Sequence, residues 1–394
     1  MEFKEPVLPQ ELFDHILDNL ADDLETLRSC VLVSSSFYQR ARIFSHFRVG
    51  ALDGEHSISA FYKLLEGSPA FSARVGSLHL DDTPRSSSWI SSMTSESRET
   101  QLLSHLVCLS RLCISSEQCW TAIPGSFRES IQLTLARPNL THLELTEVED
   151  LPLPVLAHCP ALRSLMLTWV SFELDEHEDF TSAIAACAGS PPTPLEHLTL
   201  VLVPSMLEYF GRWILLEESP LDISCLQSLA CQVHARPDYI ALQPLLTASA
   251  STLHHLRLVK GGHHEATVDL RGLRQLHTLS FDACPPIPGC MRSLASTLVF
   301  PQPEQPIALV LTIYTNNTRK YVAFADADRT LADLPCIASV TLLWLPRDCA
   351  GEDSSAHELI DVSDEFVPEM PLLVNRLRGT GALRVLQSAQ LLAK

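Results

Sequence analysis

Leu140-Thr141-His142-Leu143-Glu144-Leu145 is the stretch on which the fold turns. Leu143 and Leu145 are spaced by two, the period of a strand with one buried face. Leu140 stands three residues earlier, at the strand's entry. The pattern returns at once as Leu162-Arg163-Ser164-Leu165-Met166-Leu167. A motif that recurs down a chain points to an array of similar units rather than to one central core.

Working outward, the same template is found on both sides. Upstream are Val75-x-x-Leu78-x-Leu80 and Leu109-x-x-Leu112-x-Ile114. Downstream are Leu195-x-x-Leu198-x-Leu200, Leu226-x-x-Leu229-x-Cys231, Leu253-x-x-Leu256-x-Leu258 and Leu276-x-x-Leu279-x-Phe281. Ile307 to Ile313 and Ile337-x-x-Val340-x-Leu342 are degenerate copies, and Leu383-x-x-Leu386 keeps half of the pattern. Successive starts from Val75 to Ile337 are 34, 31, 22, 33, 31, 27, 23, 31 and 30 residues apart. The units resemble leucine-rich repeats, though they are longer and less regular, and most lack the usual Asn after the strand.

The stretches between copies carry helical spacing. Phe127, Ile131 and Leu135 recur four apart; Leu102 to Val107, Met206 to Leu216 and Tyr239 to Leu246 read the same way. Strand then helix, repeated, calls for parallel strands with right-handed crossovers. A doubly wound sheet is the competing architecture, but no Gly-rich strand-to-helix turn supports it. The expected fold is therefore α/β, a right-handed leucine-rich-repeat-like solenoid with a concave parallel sheet.

Residues flanking the strand leucines should leave the buried face. One expected column is Ser77, Arg111, His142, Ser164, His197, Ser228, His255 and Thr278. The next is His79, Cys113, Glu144, Met166, Thr199, Ala230, Arg257 and Ser280. Small, polar and mixed in charge, they suit contact with a protein segment. His142, Glu144, His197, His255 and Arg257 are the candidate substrate contacts. The three histidines do not make a metal site, because a strand bearing serine separates each pair and strands lie about 4.8 Å apart.

The residues before the array have a different pattern. Leu12, Ile16 and Leu20 recur four apart beside Phe13 and Leu17, after Pro9 at a helix start. Leu24, Leu27 and Val31 give a second stripe. Phe37, Ala41 and Phe44 or Phe47 give a third, with Arg40, Arg42 and Arg48 toward its end, where cations suit the helix dipole. Three short helices through Phe47 follow.

Leu8-Pro9-x-Glu11-Leu12-x3-Ile16-Leu17-x2-Leu20, then Thr26-Leu27-x2-Cys30-x-Leu32-Val33-Ser34, then Phe37-x3-Ala41-Arg42, resembles an F-box of the kind found in large fungal sets. The resemblance covers about the first fifty residues. It implies an N-terminal three-helix F-box over 1–50, ahead of the repeats of 51–394. It also implies binding to the Skp1 adaptor, and through it to the cullin, of an SCF-type ubiquitin ligase. By position the contacts would be Leu8, Pro9, Leu12, Ile16, Leu17, Leu20, Leu27, Cys30, Val33 and Phe37. Phe37 stands where the family often has Trp; it keeps the ring and lacks the indole donor. Without the resemblance, the same helices read as an end cap for the array, and the chain as a leucine-rich binding scaffold with no ligase role.

Composition narrows the partners. The chain has 394 residues, 46% of them hydrophobic, and a formal charge of −19. An acidic chain is a poor partner for nucleic acid or anionic membranes. No apolar signal core opens the sequence, and no apolar run is long enough to span a bilayer. A cytoplasmic or nuclear location is expected. Twelve cysteines are scattered without a Cys-x-x-Cys pair, so neither a disulfide framework nor a metal finger is expected.

Three segments interrupt the array. Residues 83–99 are serine-rich and read as a flexible insertion. Pro301 to Pro306 reads as a stiff connection. Residues 352–369 read as a solvated acidic loop before a helix through Leu372, Leu373 and Leu377. Catalytic signatures are missing: no Gly-x-Ser-x-Gly, no His-Glu-x-x-His and no phosphate-binding glycine loop. The chain reads as a non-catalytic subunit without a cofactor. A deep polar pocket with converging acid and base groups would mark an enzyme instead.

Overall fold

The computed structural model describes residues 46–50, 54–82, 88–94, 97–174, 180, 191–260, 267–283, 298–299, 306–314, 332–334, 336–345, 359–361 and 383–388. Leu8, Pro9, Leu12, Ile16, Leu17, Leu20, Leu27, Cys30, Val33 and Phe37 lie outside the described residues, as do Pro301 to Gln305 of the stiff connection and most of the acidic stretch 352–369. The chain divides into two compact units, 1–149 and 150–394.

In the first unit, strands β1 (His46–Val49), β2 (Ser77–Asp82), β3 (Arg111–Ser116) and β4 (His142–Thr146) pair in sequence order, all parallel. In the second, the described strands are β5 (Ser164–Thr168), β6 (Thr193–Pro194), β7 (His197–Val201), β8 (Leu221–Asp222), β9 (Ser228–Val233), β10 (His255–Lys260), β11 (Val268–Asp269), β12 (Thr278–Ala283), β13 (Leu298–Val299), β14 (Ile307–Tyr314), β15 (Ile337–Leu345), β16 (Leu359–Asp361) and β17 (Leu383–Ser388). Their main sheet runs β5-β7-β9-β10-β12-β14-β15-β17-β16, with only the last pair antiparallel. The chain is thus α/β with extensive parallel pairing, as the repeated template predicts.

The leucines carry out the reading made of them. Leu143 and Leu145 are buried while His142 is exposed and Glu144 half-buried. The entry leucines Leu140, Leu162, Leu195, Leu226, Leu253 and Leu276 are all buried. A shared backbone device locks each strand start to the next. The carbonyl of Ser110 accepts N–H bonds from Thr141 and His142, and that of Glu196 from Gln227 and Ser228. That of Gln227 accepts from His254 and His255, and that of His254 from His277 and Thr278. Each carbonyl uses both lone pairs, so register passes from one unit to the next without slippage.

Helices supply the covering layer. Gly54–Gly67 buries Ile58, Phe61, Tyr62 and Leu65, one stripe at helical spacing. Phe127, Ile131 and Leu135 are buried on Gly125–Leu135. Met206–Ile214 and Arg236–Ala248 approach closely at Gly211, where an added Cβ would sit 3.8 Å from the Ala241 carbonyl oxygen. The stretch around Leu102 is a 3-10 helix, Arg98–His105, with Leu102 and Leu103 buried.

Two expectations need correction. Phe47 and Arg48 are not helical: they belong to β1, which pairs with β2. Val49 is buried and Arg48 exposed, the alternation of a strand. Arg48 donates from Nε to Asp81 at 3.0 Å, so it answers a carboxylate and not a helix dipole. Gly50 follows at φ +112°, and a Cβ there would fall 2.0 Å from the Asp81 carbonyl oxygen. Only glycine fits.

The serine-rich stretch is not wholly a loose loop either. Trp89 and Ile90 within it are buried, on the short helix Trp89–Ser92. Asp82 holds them there. Its carboxylate accepts from the Trp89 and Ile90 amides at 2.7 and 3.1 Å, and from the Ser88 and Ser116 hydroxyls at 2.6 and 3.0 Å. Trp89 Nε1 adds a bond to the Asp81 carbonyl at 2.8 Å.

Candidate functional site

The flanking columns align as expected, but Ser77 and Cys113 are buried instead of leaving the buried face. In the first unit Ser77, Arg111 and His142 are in register, and so are His79, Cys113 and Glu144. In the second, Ser164, His197, Ser228, His255 and Thr278 align, beside Met166, Thr199, Ala230, Arg257 and Ser280. His142 and Glu144 thus belong to one unit, and His197, His255 and Arg257 to the other.

The first unit's column is bound into a polar network. Glu144 accepts from Cys113 Sγ at 3.2 Å and lies 3.7 Å from Arg111 Nη2. Burial and the Glu144 carboxylate push the Cys113 thiol up to about 12. It stays protonated and is a poor nucleophile or metal ligand. His79 Nε2 and Ser115 Oγ lie 2.9 Å apart in a hydrogen bond. Burial, aided by the Arg48 guanidinium, lowers the His79 pKa. His142 is exposed and meets the Thr141 hydroxyl through Nδ1 at 2.8 Å.

In the second unit His197 and His255 are exposed at the strand starts. The serine strand β9 stands between them, so they are two strand steps apart, about 9.6 Å. Arg257 reaches diagonally across to the paired strand β12, where its Nε meets Asp282 at 2.8 Å. Burial and the imidazoles of His254, His277 and His197 hold His255 below the usual histidine range.

Several contributors escaped sequence reading. A third column, one step beyond the second strand leucine, holds Asp81 and Asp282, both buried. The template locates that column, and an acid in it is the visible signal. His254 and His277 precede their strands and come together only through the ladder, with ring centroids 5.2 Å apart. Each directly follows the entry leucine of its repeat, so the template's 23-residue step from Leu253 to Leu276 is the signal that could have paired them.

Among the described residues, no group of three or more His, Cys, Asp or Glu is placed to hold a metal ion. No helix among them is long and apolar enough to cross a membrane. Each unit leaves exposed imidazoles on its strand starts, His142 in the first and His197 and His255 in the second. No known protein-family model matches this sequence, and no curated protein matches it.

Proposed function

We propose that this chain is the substrate-recognition subunit of an SCF-type cullin-RING ubiquitin ligase, acting in the cytoplasm or nucleus. Residues 1–50 would bind a Skp1-like adaptor through Leu8, Pro9, Leu12, Ile16, Leu17, Leu20, Leu27, Cys30, Val33 and Phe37. The observation that carries this reading is the joint spacing of Leu8-Pro9, Glu11-Leu12, Leu32-Val33-Ser34 and Phe37. The parallel strands in sequence order are compatible with it. Read as a right-handed solenoid with a concave sheet, they would hold out a protein substrate along the columns of His142, Glu144, His197, His255 and Arg257.

The chain would then need no chemistry of its own. Tethering a substrate beside a charged conjugating enzyme raises the effective concentration of its lysines. Capture with a Skp1-like adaptor tests the idea. The full chain should retain the adaptor, and Leu12→Asp with Ile16→Asp should lose it. A chain that never captures the adaptor leaves the second reading, a leucine-rich binding scaffold without a ligase role. The aligned polar columns favour that scaffold equally well.

A further inference from the structure

Four imidazoles gather at the amino ends of neighbouring strands in the second unit. His197 opens β7 and His255 opens β10, with Ser228 of β9 in register between them. His254 precedes β10, and its ring centroid lies 6.3 Å from that of His255 and 5.2 Å from that of His277. The His277 amide donates to the His254 carbonyl at 2.8 Å, so the backbone ladder itself keeps the rings adjacent. His197, His255 and His277 are exposed, and His254 is half-buried.

Nothing in the fold needs this cluster to be charged. Among the described residues, none of the four imidazoles is hydrogen-bonded or ion-paired to a carboxylate. The other charges nearby are already matched: Arg163 pairs with Glu196, and Arg257 with Asp282. The three neighbouring imidazoles each disfavour a proton on His255. Protonating one ring therefore opposes the next, and an arriving anion would remove that opposition. In a chain of net charge −19, this patch can take on the opposite sign.

Its span selects the ligand. From β7 to β12 there are three strand steps, about 14 Å, which an extended peptide covers in about four residues. A single small anion cannot span the three strand steps from His197 to His277. We propose that the amino-end face of β7, β9, β10 and β12 docks an acidic peptide segment, its carboxylates pairing with His197, His254, His255 and His277. The proposal rests on the receptor reading only in treating that segment as part of a substrate.

Fluorescence anisotropy with the full chain and a labelled Asp- and Glu-rich octapeptide tests it, at pH 7.5 and 6.0 and constant ionic strength. Binding should tighten about tenfold at the lower pH, where imidazoles charge and the peptide's carboxylates stay ionised. An Asn and Gln analogue should not bind. His255→Gln with His277→Gln should cut the pH dependence to roughly half, the part left to His197 and His254. His255→Lys with His277→Lys should bind more tightly than the parent at pH 7.5 and depend less on pH, a gain that a merely structural role does not give. Both variants should melt as the parent does at pH 7.5. Binding indifferent to pH, or unchanged in the Gln variant, overturns the proposal. So does full competition by millimolar inorganic phosphate, which reassigns the patch to small anions, or tighter binding of an oligonucleotide of equal charge. Adaptor capture is measured on the same samples. Loss of peptide binding with capture intact defeats this patch alone. Peptide binding without capture removes the ligase role and leaves the patch standing.

Discussion

Arg257 on β10 sets its Nε 2.8 Å and its Nη2 2.7 Å from the same oxygen of Asp282 on β12. The two are diagonal neighbours, since Asp282 lies opposite Val259. Asp282 is only 1% exposed, and the Arg257 side chain 35%. A buried carboxylate stripped of its cation is left uncompensated, at a cost of several kcal/mol when both partners are deeply buried. With the guanidinium a third exposed, Arg257→Ala should cost less, about 2 kcal/mol. Arg257→Lys should recover only part of it, because an ammonium cannot present two donors in one plane. Urea unfolding midpoints decide; an unchanged midpoint in Arg257→Ala means solvent already screens the carboxylate.

Asp82 fastens the serine-rich stretch to β2 with three accepted hydrogen bonds, and a fourth comes from Ser116 on β3. Asp82→Ala strands the Trp89 and Ile90 amides in a buried site. A loss of about 3 kcal/mol is expected, within the range for unpaired buried donors to a charged acceptor. Limited proteolysis between residues 83 and 99 should accelerate with it. Equal cleavage rates in variant and parent would show that the stretch is held by its apolar side chains alone.

Glu147 directly follows β4 and Trp169 directly follows β5, with φ of 62° and 55°. In each case the next residue, Val148 or Val170, is buried. The left-handed turn thus serves to tuck in a valine, a job glycine does without steric cost. Glu147→Gly should stabilise the chain by about 0.5–1 kcal/mol, the turn strain less the added backbone entropy. Trp169→Gly should gain less, since it removes a ring 6.0 Å from that of His234. A lower melting temperature in Glu147→Gly would mean that its side chain contributes more than the turn costs.

His79 has a lowered pKa through burial and then the Arg48 charge. Its folded form binds protons less readily than its unfolded form. Its contribution is complete above the unfolded value of about 6.5 and is lost as pH falls through that value toward the folded one. His79→Gln keeps a group able to meet Ser115 and cannot charge. Between pH 7.5 and 5.5 the variant should therefore lose less stability than the parent. Parallel losses in urea midpoints would locate the acid sensitivity elsewhere.

Much of the architecture could be read from leucine spacing. The helix Gly125–Leu135 and the strand columns followed directly, because period 3.6 and period 2 are local properties. β1 was missed since Phe47 and Val49 supply a single alternation after a long helical pattern. Trp89 and Ile90 were missed because seven serines around them outweigh two apolar residues in composition. Of the candidate contacts, His197, His255 and Arg257 fall on one face as the spacing requires, and Glu144 is engaged by Cys113 and Arg111.

By itself the sequence determined that strands would recur, that they would run parallel and which residues each would bury, because those choices depend on neighbours a few positions away. Only the tertiary structure decided that Arg257 faces Asp282 and that Asp82 captures Trp89. Those pairings join residues on different segments, and the backbone ladder that sets their register depends on strands meeting in space rather than on any interval along the chain.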